Sequence, residues 1–384
     1  MRDAVPRPRT SLRRAISAVL IAWLALSPGS AMATWSIAVI DEESREVVVA
    51  AATCVANVDL RAVLPVVRTG VGAGVAQASV DGTGSRRALI NQGLIDGIGP
   101  AAIAAQLQAL PGAASTQHGI VVSGFPSVTL TGSSTLRDAG GVIGSVGTLR
   151  YAIQGNLLVA PAVWLNAEQS LRGSSGLLAL RVQDAMEAAR AAGGDARCSC
   201  TSWNSQVGCV QLIPDFPKAA HTGFLLVARE GEVDDPNCNA SGCADGAYWL
   251  SLNVANQPVG ALDPVLQLRS ALQQTLVARE GKLDALGSRV ELERDPAGLR
   301  IRPRDWRGAG LTVPVTDVRV ELLPGTDVQI GAAEFAGDGS IRVPLAAINS
   351  DTLAFGIALD SEGSTVRLPT SRTRFPSMLV DGFE

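Results

Sequence analysis

Residues 34–55 decide the fold of this 384-residue chain, and they read TWSIAVIDEESREVVVAAATCV. Two apolar runs, Thr34–Ile40 and Val47–Val55, are rich in β-branched residues, and the polar segment Asp41–Glu46 separates them. Apolar, β-branched runs on either side of a short polar segment are typical of two strands joined by a turn. The first strand is therefore predicted to begin at Thr34.

The residues before Thr34 follow the order that a secretory signal requires. Five arginines precede residue 15, Ala15–Leu26 is apolar, and Ala31-Met32-Ala33 supplies the small-x-small pattern that signal peptidase reads. The apolar stretch has twelve residues, well short of the roughly 20 that cross a bilayer. We therefore expect residues 1–33 to be a cleaved export signal, and the mature protein to be periplasmic, at the cell surface or secreted.

The net charge of the mature chain limits the classes of partner that are expected for it. The full chain carries −4, and loss of the five arginines and one aspartate of residues 1–33 leaves −8. Nucleic-acid binding needs a clustered basic surface, so nucleic acid is not an expected partner. No segment after the signal is long and apolar enough to span a membrane. The remaining length exceeds that of one hydrophobic core, which predicts two domains.

All six cysteines lie after residue 33, and five of them fall between Cys198 and Cys243. Export would place them in an oxidising compartment, where disulfides form and persist. Cys198-Ser199-Cys200 could also suggest a metal site, but zinc sites usually show paired C-x2-C spacing, so disulfides are favoured. Cys54 lies inside an apolar run and is a candidate for a buried free thiol, which would leave one cysteine of the cluster unpaired as well.

The chain beyond residue 55 combines strands and helices. Gly70–Val80 has glycines in the spacing G-x-G-x-G with no helix directly after them, which favours a closely packed strand over a phosphate loop. Apolar periodicity predicts the other elements. The predicted helices are Ser85–Leu94, Pro100–Leu110, Ala160–Arg172, Gly176–Ala192 and Val265–Glu280, and the predicted strands are Gly119–Ser123, Ser127–Gly132, Phe224–Ala228 and Tyr248–Val254. This order fits an α+β layered domain over residues 34–282.

The last hundred residues change in character. Short β-like runs separated by turn residues are typical of a small all-β sandwich, which we predict for residues 283–384. The predicted strands are Arg289–Arg294, Gly298–Arg302, Leu311–Leu323, Ser340–Leu345 and Thr352–Leu359.

Several catalytic motifs are missing from the sequence. It contains no G-x-S-x-G elbow, no P-loop and no H-E-x-x-H motif. Its two histidines, His118 and His221, lie in no recognisable catalytic context, and His221 is expected to be an ordinary residue at a strand edge. No metal and no cofactor is therefore expected.

Thr34 would become the N-terminal residue, with a free α-amine, if the signal is cut after Ala33. Its hydroxyl would then lie beside its own free α-amine. A hydroxyl needs a nearby base to become a nucleophile, and an amine with a pKa of about 7.7–8.0 suits that role at neutral pH. Because any exported protein begins with some residue, Thr34 alone does not establish a nucleophile.

Several segments together resemble an uncharacterised bacterial family, the domain of unknown function ten-twenty-eight, which is assigned to the Ntn-hydrolase (N-terminal nucleophile) fold. The resemblance covers about Thr34–Glu280. It rests on Thr34–Ala38, Val47–Cys54, Gly70–Ala73 with Gln77, Gln154–Leu158, Gly193–Arg197 and Asp263–Val265.

The resemblance implies a four-layer αββα sandwich with Thr34 at the mouth of a cleft between two sheets. It also implies hydrolysis of a small-molecule or peptide amide through an acyl-enzyme, with Asn156 stabilising the oxyanion. Gln77 and Gln154 would orient the substrate or the α-amine. Asn156 could equally form a turn after Gly155, and Asp195 is expected to form a turn instead of closing a polar network.

Two insertions depart from the family's pattern, Cys198–Pro217 and Glu232–Asp245. Alternating Asp and Asn residues in the second resemble a calcium loop, but Ala240 and Gly246 stand where a glycine and an acidic ligand are expected. A loop closed by a Cys238–Cys243 disulfide is favoured. The alternative function is a non-catalytic envelope or surface protein that keeps this fold as a scaffold for binding or structure, which the disulfide-rich loops and the all-β domain would suit.

Overall fold

The computed structural model describes residues 31, 32, 34–136, 138–204, 206–294, 296–350, 352–370 and 373–375. The predicted signal peptide lies outside this range, apart from residues 31 and 32. The chain is a mixed α+β protein with several antiparallel sheets. None of the helices in the described ranges is long and apolar enough to cross a membrane.

The strands and helices of the first 280 residues are numbered in chain order. The strands are β1 Ala31–Met32, β2 Thr34–Asp41, β3 Val47–Thr53, β4 Pro65–Arg68, β5 Gly72–Ser79, β6 Thr116–Val122, β7 Val128–Thr131, β8 Gly140–Val146, β9 Leu149–Asn156, β10 Trp203–Asn204, β11 Gly208–Cys209, β12 Thr222–Ala228 and β13 Leu250–Val254. The helices are α1 Leu60–Val63, α2 Ser85–Ile95, α3 Pro100–Gln108, α4 Ala162–Gly173, α5 Leu178–Ala191, α6 Ala196–Ser199 and α7 Pro264–Ala278, with a 3-10 turn at Ala113–Ser115.

The first sheet is antiparallel, with strand order β13-β12-β3-β2-β9-β8. The predicted strand–turn–strand unit forms its centre. Asp41 makes the turn because its carboxylate accepts from the backbone N–H of Glu43 and from the Ser44 hydroxyl, a use of Asp that is common in turns. Arg45 lies in the left-handed region at a φ of 60°. The strand prediction that begins at Thr34 is confirmed.

The second sheet contains β4, β5, β6 and β7 in that order. Its glycine-rich strand is closely packed, as predicted. A Cβ on Gly72 would lie 2.2 Å from the carbonyl oxygen of Val121, and one on Gly74 would lie 2.6 Å from Cγ2 of Ile90. Only glycine fits at such distances, so the glycines allow β5 to approach its neighbours.

The two sheets pack face to face between helices. Along β2, Ala38 and Ile40 face the second sheet, while Ile37 and Val39 face helices α4, α5 and α7. This alternation follows from the two-residue period of a strand. Helices α2 and α3 pack on the outer face of the second sheet through residues such as Ile90.

The C-terminal part is built of strands. They are β14 Arg289–Arg294, β15 Ala297–Arg302, β16 Asp317–Leu322, β17 Gln329–Ile330, β18 Glu334–Phe335, β19 Ile341–Ala346, β20 Leu353–Ser361, β21 Ser364–Arg367 and β22 Arg374–Phe375. Two antiparallel sheets, one containing β15 and β19 and the other β16 and β20, share a separate hydrophobic core. The predicted strand at 311–323 is shorter than expected. A domain boundary near residue 283 stays a prediction.

Three disulfides are present: Cys54–Cys198, Cys200–Cys209 and Cys238–Cys243. The preference for disulfides is confirmed, and so is the Cys238–Cys243 loop. The prediction of a free thiol at Cys54 was wrong. The apolar residues before Cys54 belong to β3, and Cys54 itself lies just beyond the end of that strand. At that position it forms a disulfide with Cys198, which is 144 residues further along the chain.

Arg229 follows β12 directly and lies in a buried ion cluster. Its Nε donates to Glu46 at 2.7 Å and its Nη1 donates to Asp284 at 2.6 Å. All three residues are at most 5% exposed. The guanidinium also lies 4.0 Å from the ring centroid of Trp249. Because Asp284 also accepts from the backbone N–H groups of residues 286 and 287, the cluster fixes the chain as it enters the C-terminal strands.

The titration of Glu232 should make the stability of this region depend on pH. One carboxyl oxygen accepts from the backbone N–H groups of Arg229 and Trp249, and burial raises the pKa of Glu232 from 4.5 to about 7. A raised folded pKa means that stability is lost as pH rises from about 4.5 to about 7. Glu232→Gln keeps an acceptor and cannot ionise. We expect it to be more stable than wild type at pH 8 by up to roughly 3 kcal/mol, and equal to it at pH 4.

Urea unfolding of both proteins at several pH values measures this difference. Glu230→Gln, in the same loop, is the control for the loss of a carboxylate. A Glu232→Gln difference that does not change between pH 4 and pH 8 would contradict the assignment.

Candidate functional site

The first residues of β2 lie between the two sheets. Thr34 and Ser36 are on the same face of β2 as Ala38, toward the second sheet, and both are 0% exposed. The register pairs Thr34 with Asn156 and Ser36 with Gln154 on β9. Two residues that were predicted to act with Thr34 therefore lie directly beside this end of β2.

Gln77 reaches the same place from the second sheet. Its Oε1 accepts from the Ser36 hydroxyl at 2.6 Å, and its Nε2 lies 3.3 Å from the Thr34 carbonyl oxygen. Gln154 donates to the Ser36 hydroxyl at 2.6 Å. The four residues predicted from the sequence, Thr34, Gln77, Gln154 and Asn156, are thus in one buried polar cluster.

Sequence reasoning missed two members of this cluster, Ser36 and Gln117. Gln117 Oε1 accepts from Gln77 at 2.7 Å and lies 3.3 Å from Nδ2 of Asn156. Its own Nε2 donates to the carbonyl of Gly155 at 2.9 Å. The two-residue period of β2 could have identified Ser36, because it must share a face with Thr34. Gln117 lies opposite Gln77 in the register of β5 and β6, and the packing of the two sheets brings it to the end of β2, a contact for which the sequence gives no signal.

Asn156 closes β9 and does not form the turn that was the alternative for it. It is 1% exposed, and the residue after it, Leu157, takes the left-handed conformation at a φ of 53°. The turn therefore begins one residue later than the alternative required. Directly opposed residues of antiparallel strands have Cβ atoms roughly 5 Å apart, so the Asn156 amide can reach a group bound at Thr34.

The other side of Thr34 is formed by the end of β3. The last paired residues of β2 and β3 are Trp35 and Ala52, so the register one step further brings Thr53 opposite Thr34. Thr53 is buried, and Nη2 of Arg197 lies 3.5 Å from its hydroxyl oxygen. The Arg197 side chain is 31% exposed, so this edge of the cluster carries a cation with access to solvent.

Asp195 corrects a sequence expectation. Instead of only forming a turn after the preceding helix, it caps α6 and lies fully buried in a polar network. Its carboxylate accepts from the backbone N–H of Cys54 at 2.7 Å and from the Arg197 guanidinium at 2.8 Å. Burial raises the pKa of Asp195, against the effect of Arg197. Asp195 therefore fixes Arg197 beside the end of β3.

His221 also occupies a more specific position than a strand edge. Its Nε2 lies 3.6 Å from Sγ of Cys198, and its Nδ1 lies 3.3 Å from Nζ of Lys218. Ligand atoms of Cys54, Cys198 and His221 fall within 4.8 Å of one another, a spacing that a metal could use. Because the two sulfurs are bonded to each other, neither is a thiolate, the form that binds metals.

The loop that resembled a calcium site uses its side chains internally. Asp235 accepts from the backbone N–H groups of Asn237 and Asp245, and Asn239 accepts from that of Ser241. These carboxylate and amide oxygens therefore stabilise the loop that the Cys238–Cys243 disulfide closes.

Gly119 offers a test of the packing around Gln154. A Cβ at position 119 would lie 2.1 Å from Oε1 of Gln154, so Gly119→Ala must displace that side chain from Ser36. We expect a loss of about 1–3 kcal/mol in the free energy of unfolding. Gly260→Ala is the matched control, because nothing lies within 4 Å of its Cβ position. Equal stabilities of the two variants in urea unfolding would contradict the packing described here.

Comparison with known proteins confirms the resemblance over part of the chain. Residues 34–207 match the model of a family of unknown function (DUF1028). Among solved structures, the chain resembles protein SPO2555 from Silicibacter pomeroyi, of the same family, with 18% identity and a TM-score of 0.45. That similarity covers 63% of this chain and 89% of the other. The comparison with curated proteins gives no match.

Proposed function

We propose, with the DUF1028 match over residues 34–207 as the premise, that this protein is an exported N-terminal-nucleophile hydrolase that cleaves an amide bond. The helices on the outer faces of two packed sheets would be the αββα sandwich of that class. The observation that carries the proposal is the position of Thr34. The residue that export processing would make N-terminal lies at the end of a central strand, among the amide side chains of Gln77, Gln154 and Asn156.

The reaction would begin with the α-amine of Thr34. The amine takes the proton of the Thr34 hydroxyl as its oxygen attacks the carbonyl carbon of the amide. The carbonyl oxygen becomes an oxyanion, to which the Asn156 amide would donate. The protonated amine then gives its proton to the leaving nitrogen, and the C–N bond breaks. Water, activated by the same amine, hydrolyses the acyl-enzyme and restores the threonine.

The remaining amides would position the nucleophile. Gln77 lies 3.3 Å from the Thr34 carbonyl and accepts from Ser36, which Gln154 contacts from the other side. These bonds hold the first three residues of β2 at fixed positions. Preorganised groups of this kind reduce the rearrangement that the transition state requires.

Removal of the residues before Thr34 would activate the proposed hydrolase. In the full chain the nitrogen of Thr34 is part of a peptide bond to Ala33, so it has no basic lone pair. Thr34 is also fully enclosed. Cleavage after Ala33 would create the base and would release the residues that precede the nucleophile.

The test combines N-terminal sequencing of the exported protein with labelling by a β-lactone probe, which acylates activated hydroxyls. We expect the sequence to begin at Thr34 and the adduct to lie on the N-terminal peptide. A start at another residue, or a folded protein that begins at Thr34 and takes no label there, would contradict the proposal. The second result would favour the alternative, a non-catalytic envelope or surface protein.

A further inference from the structure

The Cys54–Cys198 disulfide differs from the other two in its surroundings. Cys54 and Cys198 are both partly exposed, whereas Cys200 and Cys243 are only 7% and 2% exposed, so each of the other disulfides has one buried cysteine. Reduction by thiol–disulfide exchange requires an approach to one sulfur along the S–S bond. An external thiol can therefore approach either cysteine of Cys54–Cys198, whereas each of the other disulfides has only one partly exposed cysteine.

The groups around Cys198 would stabilise it as a thiolate. The ammonium of Lys218 has only donors, so its contact at 3.3 Å makes Nδ1 of His221 an acceptor. In the neutral imidazole the proton is then on Nε2, which faces Sγ of Cys198 at 3.6 Å. Burial, helped by Lys218 and Arg197, lowers the pKa of His221, so the ring is neutral at neutral pH. Asp263 opposes this shift.

We propose that Cys54–Cys198 is a thiol–disulfide exchange site for a dithiol reductant. A thiolate of the reductant attacks Sγ of Cys54, the S–S bond breaks, and Cys198 leaves with the bonding electrons as a thiolate. His221 donates a charge-assisted hydrogen bond to that thiolate. The second thiol of the reductant then attacks the mixed disulfide and releases Cys54, so the protein gains two electrons and the reductant becomes a disulfide.

Opening this disulfide would alter the edge of the Thr34 cluster. Cys54 directly follows Thr53, the residue opposite Thr34, and Cys198 lies in α6 beside Arg197. Without the S–S bond, the contacts described above that join these two segments are those of Asp195 with the Cys54 N–H and with Arg197, and that of Arg197 with the Thr53 hydroxyl. We infer that reduction lowers the reactivity of Thr34. This consequence rests on the proposed function, whereas the exchange itself does not.

The experiment treats the processed protein with increasing dithiothreitol, quenches with an alkylating reagent and locates the alkylated cysteines by mass spectrometry. We expect Cys54 and Cys198 to be alkylated first. His221→Gln and Lys218→Met should each slow that step by about tenfold, because a leaving thiol of higher pKa leaves more slowly. Lys282→Met, on the surface, is the control for loss of a lysine. Thermal unfolding checks that every variant is folded.

The outcomes separate the two proposals. Earlier opening of either other disulfide in the wild type, or unchanged rates in both folded variants, would overturn the exchange site. Labelling of Thr34 by the β-lactone probe is measured before and after opening. Equal labelling would remove the link to Thr34 while the exchange site stands. Absence of labelling before opening would count against the hydrolase alone.

Discussion

Replacing Thr34 with alanine in the processed protein is expected to abolish acylation by a β-lactone probe and to lower amide hydrolysis by about 10⁴-fold or more. Loss of a nucleophile from a comparable serine site costs up to about 10⁶-fold in kcat. Thr34 is fully buried, and the change removes one hydroxyl and one methyl group while leaving the hydrogen bond of Gln77 to the Thr34 carbonyl in place.

Thr34→Ser is the matched variant, because it keeps both the hydroxyl and the α-amine. We expect it to retain labelling within roughly tenfold of wild type. The methyl group of threonine restricts the rotation of the hydroxyl, and this restriction accounts for the difference. Unfolding in urea should show both variants to be folded, so that a loss of reactivity belongs to the hydroxyl.

A protein that retains one residue before Thr34 distinguishes the contribution of the α-amine to reactivity from that of the hydroxyl. Its Thr34 nitrogen is an amide, so the hydroxyl remains but the base is absent. General-base catalysis contributes about 10²–10⁴-fold, and we expect a loss of that size. Labelling equal to that of the processed protein would show that another group acts as base, and Thr34→Ala labelling equal to wild type would contradict the nucleophile itself.

The sequence predicted the elements around Thr34 better than their connections. Uninterrupted β-branched runs and helical periodicity gave β2, β3 and the long helices, because those patterns are local. Strand β8, Gly140–Val146, was not predicted. Its three glycines weaken any strand signal, and it forms only because β9 pairs with it along its full length.

In the candidate site too, some residues could be selected from the sequence, whereas others are brought in by long-range contacts. Thr34, Gln77, Gln154 and Asn156 could be selected through the family resemblance, and they lie together. Gln117 and Arg197 join them through pairing between strands and through a disulfide that spans 144 residues. Such contacts depend on register and on layer packing, which residue types at one position do not encode. Cys54 was assigned wrongly for the same reason.

The largest effect on stability is expected at Arg229. Arg229→Met should lower the free energy of unfolding by about 3–5 kcal/mol, the usual cost of breaking a buried ion pair by removing one partner. Methionine fills much of the same volume but leaves two buried carboxylates, Glu46 and Asp284, without their cation. It also removes the guanidinium that lies 4.0 Å from the ring centroid of Trp249.

Arg319→Met is the matched control, because the same substitution there removes a paired arginine from the surface. Arg319 contacts Asp360 at 2.6 Å, but its side chain is 46% exposed, and exposed pairs contribute only about 0–1 kcal/mol. Urea unfolding of the two variants under the same conditions compares the buried and the exposed pair directly.

The pH dependence of the Arg229→Met defect identifies its cause. Burial raises the pKa of Glu46, and Arg229 opposes that rise, so removing Arg229 raises the pKa further. A raised folded pKa costs stability at pH values above the unfolded pKa and costs nothing below it. The defect should therefore be largest near pH 8 and smaller near pH 4, which is below the ordinary pKa of a glutamate. A loss of the same size at both pH values would assign the effect to packing and to Trp249, because an unpaired carboxylate must titrate.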